Sequence, residues 1–194
     1  MIKKEKKKSA KTFVYVGMSL DGFIARKDGD FSWLNPFNNS EVGDSYKKFI
    51  RNIDAIVIGR GTFETVVPLP SWPYNRKVFL LSNSIKELPD KIKKKVKILS
   101  MQPTELLSYL SKEGFKNIYV DGGKVIQSFL REDLIDEMII TQVPVLIGSG
   151  IPLFGSLDKD IQFTHIHTEV YSNGLVKSHY EKKQKFKRVK GSKI

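Results

Sequence analysis

The sequence predicts an α/β domain with a mostly parallel central sheet that finishes in an antiparallel hairpin. Three observations carry that expectation. Short apolar runs rich in Val and Ile recur without a polar alternate, as strands covered on both faces require. Segments of helical period separate them. Late in the chain an Asn-Gly pair lies between two strand-like runs, the strongest short hairpin signal a sequence offers.

The apolar runs fall at 13–18, 55–59, 78–82, 96–99, 118–121 and 138–147. Three helices are predicted between them. Segment 41–52 puts Val42, Tyr46, Phe49 and Ile50 on one stripe, 104–112 does the same with Leu106, Leu107 and Leu110, and 124–131 with Val125, Ile126, Phe129 and Leu130. Thr104, after Pro103, is expected to cap the second helix and Gly114 to close it. Tyr171-Ser172-Asn173-Gly174-Leu175 supplies the hairpin. No internal repeat, Gly/Ser linker or composition shift interrupts the body. One domain over 12–181 is expected, between basic tails at 1–11 and 182–194.

Composition excludes several chemistries. The 194 residues contain no cysteine, which rules out a disulfide scaffold, a zinc ribbon, an iron–sulfur cluster and a cysteine nucleophile. With three histidines, no metal site is expected. No 18-residue apolar stretch exists to span a membrane, and the apolar run 13–20 is too short for a signal peptide. A cytoplasmic protein without a membrane partner is expected. The net charge of +12 sits at the ends. Residues 1–12 hold six lysines and Glu5, and 181–194 hold seven basic residues and Glu181, so 20 basic and 19 acidic residues remain between them. The tails read as solvated arms. Having no interleaved aromatics apart from Phe186, they give little sign of nucleic-acid binding.

Three predicted strands end in residues suited to a phosphate. Ile58-Gly59-Arg60-Gly61-Thr62 enters a helix, Leu81-Ser82-Asn83-Ser84 offers hydroxyl and amide donors, and Val120-Asp121-Gly122-Gly123-Lys124 opens the 124–131 helix. Parallel strands share one carboxyl edge, so these segments should converge on one ligand there. A dinucleotide fits them, although neither Gly-x-Gly-x-x-Gly nor a P-loop is present. Other constellations fail. His165 and His167 share a strand face without a third ligand, Gly148-Ser149-Gly150 lacks a nucleophile elbow, and the lysines of 91–97 suit a solvated edge.

In order and spacing, Gly59-Arg60-Gly61-Thr62-Phe63-Glu64, Leu80-Leu81-Ser82-Asn83 and Asp121-Gly122-Gly123-Lys124-Val125-Ile126 resemble the three cofactor segments of the dihydrofolate reductase superfamily. The Ser-Leu-Asp-Gly-x-Ile-Ala form at 19–25 and the stretch 143–154 are more similar to one branch, the C-terminal reductase domain of the bifunctional riboflavin-biosynthesis deaminase–reductase and its stand-alone relatives. The resemblance covers about residues 12–180. It implies a dihydrofolate-reductase-like three-layer fold, NADPH as cofactor and a homodimer. It also implies a hydride transfer to a small heterocyclic or sugar-linked substrate, as in 5-amino-6-(5-phosphoribosylamino)uracil reduction. The alternatives are folate reduction, cofactor binding without turnover, or nucleic-acid binding through the tails.

By that resemblance, Arg60 to Thr62 and Gly122 to Val125 take the pyrophosphate, and Gly59 and Ile126 are cofactor-binding residues of the same segments. Ser82, Asn83, Arg60 and Lys124 take the adenosine 2′-phosphate. Gly17 and Ile24 touch the nicotinamide. The carboxylate that serves the proton is sought at the start of the first helix, in Glu41 or the better-spaced Asp44. Thr141 faces the substrate, Trp33 walls a ring pocket or packs in the core, and Arg76 grips a substrate anion or nothing.

Overall fold

A computed structural model describes residues 10–183. In chain order the elements are β1 (Lys11–Ser19), β2 (Phe23–Ala25), α1 (Ser40–Arg51), β3 (Ala55–Gly59), α2 (Arg60–Val66), β4 (Lys77–Leu81), β5 (Val96–Leu99), α3 (Pro103–Lys112), β6 (Asn117–Asp121), α4 (Gly123–Arg131), β7 (Glu137–Val143), β8 (Ile151–Pro152), β9 (Phe163–Val170) and β10 (Val176–Lys182). The predicted tails lie outside the described residues except at their inner ends. There β1 and β10 each extend one residue past the expected limits of the domain.

Eight strands form one sheet in the order β5-β4-β3-β6-β1-β7-β10-β9, and β2 pairs with β8 separately. From β5 to β7 the neighbours are parallel, and β10 runs antiparallel to both β7 and β9. Alternate residues of the central strands feed two cores. Ala55, Val57 and Val120 face α3 and α4, which contribute Leu106, Leu110, Ile126 and Phe129. Ile56, Ile58 and Leu80 face α1 and α2, which contribute Ile50, Phe63 and Val66. This is the predicted three-layer arrangement. Each large aliphatic side chain sealed in this way contributes roughly 1.5–3 kcal/mol.

Local expectations hold in part. Gly114, with φ +92°, follows the end of α3. Gly174, with φ +84°, turns the β9–β10 hairpin, where the Tyr171 amide donates to the Leu175 carbonyl at 2.9 Å. Thr104 is not the cap of α3. That place belongs to Gln102, whose amide donates to Glu105 at 3.2 Å, while the Thr104 amide donates to Glu132 at 3.1 Å. The run 138–147 stops as a strand at Val143, because Pro144 offers no amide to the ladder.

The β2–β8 pair is not predicted, since three and two residues are too few to show alternation. Side-chain clasps place it. Buried Ser19 donates to Asp21 at 2.6 Å and accepts the Phe23 amide at 3.0 Å. Asp21 in turn accepts the Gly148 amide at 2.7 Å. Ser19 thereby holds its carboxyl below the ordinary carboxylate range. The Ser-Leu-Asp-Gly segment is a fastening between two loops, and it sets β2 and β8 against the amino end of α4. Among the described residues, no helix is long and apolar enough to cross a membrane.

Candidate functional site

Strands β1, β3, β4 and β6 deliver their carboxyl ends to one cleft of about 1260 Å³. The loop after β3, the loop after β4 and the loop after β6 meet there, as parallel topology requires. Gly17, Ile24, Gly59, Arg60, Gly61, Thr62, Ser82, Asn83, Gly122, Gly123, Lys124 and Val125 all border it. Ile126 does not. It faces inward along α4 and is sealed in the core beneath.

The cleft has an end rich in hydrogen-bond donors and a ring-lined end. At the first, no side chain caps α4, and Ile126 donates the first helical hydrogen bond to the Gly122 carbonyl at 2.9 Å. The amides of Gly123, Lys124 and Val125 therefore have no partner in the helix, and all three residues border the cleft. The backbone is tightly packed here. Gly122 has φ +98°, and a Cβ on it would stand 2.1 Å from the Thr62 hydroxyl oxygen. A Cβ on Gly123 would stand 2.8 Å from Ile151, with Ile24 at 3.3 Å. Free amides, flanking hydroxyls of Thr62 and Ser82, and the cations Arg60 and Lys124 make a donor set that fits a dinucleotide pyrophosphate with an additional phosphate.

At the other end the walls are aromatic. Tyr15, Tyr46, Tyr74 and Tyr119 border the cleft beside Phe31, and Asp121 lies among them at the end of β6. The Tyr74 hydroxyl donates to Asp121 at 2.6 Å. Burial pushes the Asp121 pKa above the ordinary carboxylate value, while the Tyr74 and Tyr119 hydroxyls and the Gly122 amide favour the charged form. Desolvation and the Asp121 charge together push the Tyr46 hydroxyl up to about 12. A carboxyl in this setting can hold a proton that an exposed one would lose.

The proton and substrate candidates predicted from sequence lie elsewhere. Asp44 is on the outer surface of α1, ion-paired with Lys47 at 2.9 Å, which lowers its pKa. Glu41 accepts from Ser172 at 2.9 Å and ties α1 to the hairpin turn. Neither borders the cleft; α1 presents Tyr46 to it instead. Arg76 turns from the cleft and donates to the Ile50 and Arg51 carbonyls at 3.1 Å, closing the carboxyl end of α1. Trp33 packs against Val143, Tyr171 and Leu175. Thr141 is buried on β7 beside Gly17, and Leu34 covers that glycine.

Asp121 is the site residue that the sequence reading missed as an acid. In the sequence it reads as part of the Asp-Gly-Gly turn, and nothing local marks it as shielded from solvent. Its environment is made by burial together with the Tyr74 hydroxyl, brought onto it from 47 residues away, and with Tyr119 and the Gly122 amide. His165 and His167 are exposed, and the His165 ring shares a hydrogen bond with Thr168 at 2.6 Å.

Comparison with known proteins agrees with this geometry. Residues 75–177 match the family described as RibD C-terminal domain. The uncharacterized protein YwjB of Bacillus subtilis is 35% identical over 173 residues, spanning 88% of this chain and 97% of YwjB. A structure from Shewanella sp. PV-4, assigned provisionally to riboflavin biosynthesis, superposes with TM-score 0.85 at 38% identity over 90% of this chain and 99% of that one. Dihydrofolate reductase of Enterococcus faecalis, solved with NADP(H), shares the fold at TM-score 0.64 and 17% identity, over 90% and 97% of the two chains.

Proposed function

This chain belongs to the RibD C-terminal domain family, and from that premise we propose that it is an NADPH-dependent reductase of a small heterocycle. The observation that carries the proposal is the convergence of three strand-end loops on one cleft that holds a half-buried carboxyl, Asp121, beside its tyrosine wall. The uncapped amides of α4 would hold the pyrophosphate, with Thr62 beside them. Arg60, Lys124, Ser82 and Asn83 would receive the 2′-phosphate. Gly17 on β1 and Ile24 on β2, which both border the cleft, would leave room for the nicotinamide.

Bound NADPH would supply a hydride, two electrons and one hydrogen, and leave as NADP⁺. The chain has to supply the proton. Reduction of a C=N bond places hydride on carbon and a proton on nitrogen. Asp121, whose pKa burial raises, is the group that can give that proton and take another from solvent. Tyr74 fixes the carboxyl through its 2.6 Å hydrogen bond. The tyrosine walls exclude water from the reacting atoms.

The test is a pair of titrations, with NADPH and then NADH, followed by fluorescence. Tighter binding of NADPH by about tenfold or more supports the reading, since charge-assisted contacts to the extra phosphate are worth about 1.5–3 kcal/mol. Absence of binding by either nucleotide overturns it.

A further inference from the structure

The ring-lined end of the cleft has a charge pattern that selects among substrates. Among the described residues, the cations bordering the cleft are Lys27, Arg60 and Lys124. Arg60 and Lys124 belong to the donor-rich end, and Arg60 is paired with Glu64 at 3.7 Å. Only Lys27 remains, exposed on a loop it shares with Asp28 and Asp30. That loop reaches across to α2: a Cβ on Gly29 would stand 2.7 Å from the Thr65 hydroxyl oxygen. Asp28 and Asp30 on the loop, Glu64 on α2 and Asp121 at the end of β6 all border the cleft. Ser32 and Arg26 keep Asp30 below the ordinary carboxylate range, so it is charged at neutral pH.

A phosphate monoester carries about −1.5 to −2 charge at pH 7 and is held by several charge-assisted donors. Of the four carboxyl groups here, Asp30 is paired with Arg26 at 3.5 Å and Glu64 with Arg60, which leaves Asp28 and Asp121 against Lys27 alone. The arginine whose position in the sequence suited a substrate anion is spent on the α1 carbonyls. What the walls do offer is flat aromatic surface, the Asp121 carboxyl, and the Tyr46 hydroxyl, which has no hydrogen-bond partner among the described residues.

We propose that the substrate is a flat, hydrogen-bonding heterocycle that carries no phosphate, and that the cleft rejects phosphoribosylated forms. This rests on the reductase reading and narrows it. The family resemblance alone points the other way, to a phosphoribosylaminouracil.

The experiment uses the full chain saturated with NADP⁺ and a pair of ligands differing only in the phosphate, 5-amino-6-ribosylaminouracil and its 5′-phosphate. Free aminouracil, pterin and lumazine complete the panel. Calorimetry should show at least one phosphate-free compound binding, and the nucleoside, where it binds, at least tenfold tighter than its phosphate. The double variant D28N/E64Q should narrow that gap several-fold. Equal or tighter binding of the phosphate form overturns the proposal, as does failure of every phosphate-free compound. An unchanged gap in the double variant overturns its electrostatic origin. Failure of NADP⁺ to bind in the same cell instead sinks the reductase reading, so the two failures are told apart.

Discussion

The Tyr74 hydroxyl donates to the Asp121 carboxylate across 47 residues of sequence, at 2.6 Å, and the pair stands where the ring-lined wall meets the amino end of α4. Because burial raises the Asp121 pKa, the acid form persists above the ordinary value of 3.8. A proton donor of this kind loses activity as pH climbs through its raised pKa. Asp121→Asn should lower kcat by about a hundredfold or more and remove that alkaline limb, with NADPH affinity kept within about twofold. Steady-state kinetics against pH check this, and a variant with unchanged kcat would clear Asp121 of the role.

The same shift fixes a stability trend. Between 3.8 and its folded pKa, Asp121 binds more protons in the native state than in the unfolded chain. Its contribution is therefore full at acid pH and declines as pH rises through that window. The Asn variant should gain melting temperature relative to the parent as pH rises above the ordinary carboxylate value of 3.8. Thermal scans across that range supply the measurement.

Gly122→Ala should injure both fold and cofactor binding. Its φ of +98° is strained for any L side chain, and the new methyl would lie 2.1 Å from the Thr62 oxygen. A loss of about 1–3 kcal/mol is expected in urea melts, with NADPH affinity down about tenfold. Gly61→Ala is the control, since its Cβ would meet nothing within 4 Å. Stability should then stay within about 0.5 kcal/mol.

Arg76→Ala should behave as a structural change only. Removing a guanidinium that serves the Ile50 and Arg51 carbonyls is expected to take about 1.5–3 kcal/mol from stability. Turnover and substrate affinity should remain within about twofold, for the side chain points away from the cleft. Arg76→Lys would not restore the loss, because an ammonium cannot reach both acceptors as a fork does. A large KM effect would return Arg76 to the site.

Arg60→Ala and Lys124→Ala should each weaken NADPH more than NADH. A shift of about tenfold in the ratio corresponds to about 1.4 kcal/mol. Parallel titrations of both nucleotides in each variant provide the comparison.

The fold and the convergence of the three strand-end loops were legible because each rests on local signals. Val- and Ile-rich runs such as 55–59 declare strands buried on both faces, and glycines directly after strands mark close backbone approach. The ring-lined end was not legible in the same way. Asp121 has its pKa raised by burial at the end of β6, against a Tyr74 that reaches it across 47 residues of sequence. Asp44 shows the converse: the helix start suited a functional carboxylate, yet the rotation of α1 on the sheet presents Tyr46 to the cleft and leaves Asp44 to Lys47. Helical period shows which stripe is apolar, not which residue at its margin overlooks a cavity.

Both ends of the described chain emerge on the rim opposite the cleft. The Lys11 amide donates to the Lys116 carbonyl at 2.7 Å, and the Lys183 amide to the Gln162 carbonyl at 2.9 Å, at the amino ends of the parallel strands. A tag, a fluorophore or a solid support attached beyond either terminus would thus anchor the molecule by its back. The mouth would stay turned toward the bulk liquid, which makes immobilised protein a practical format for every titration described.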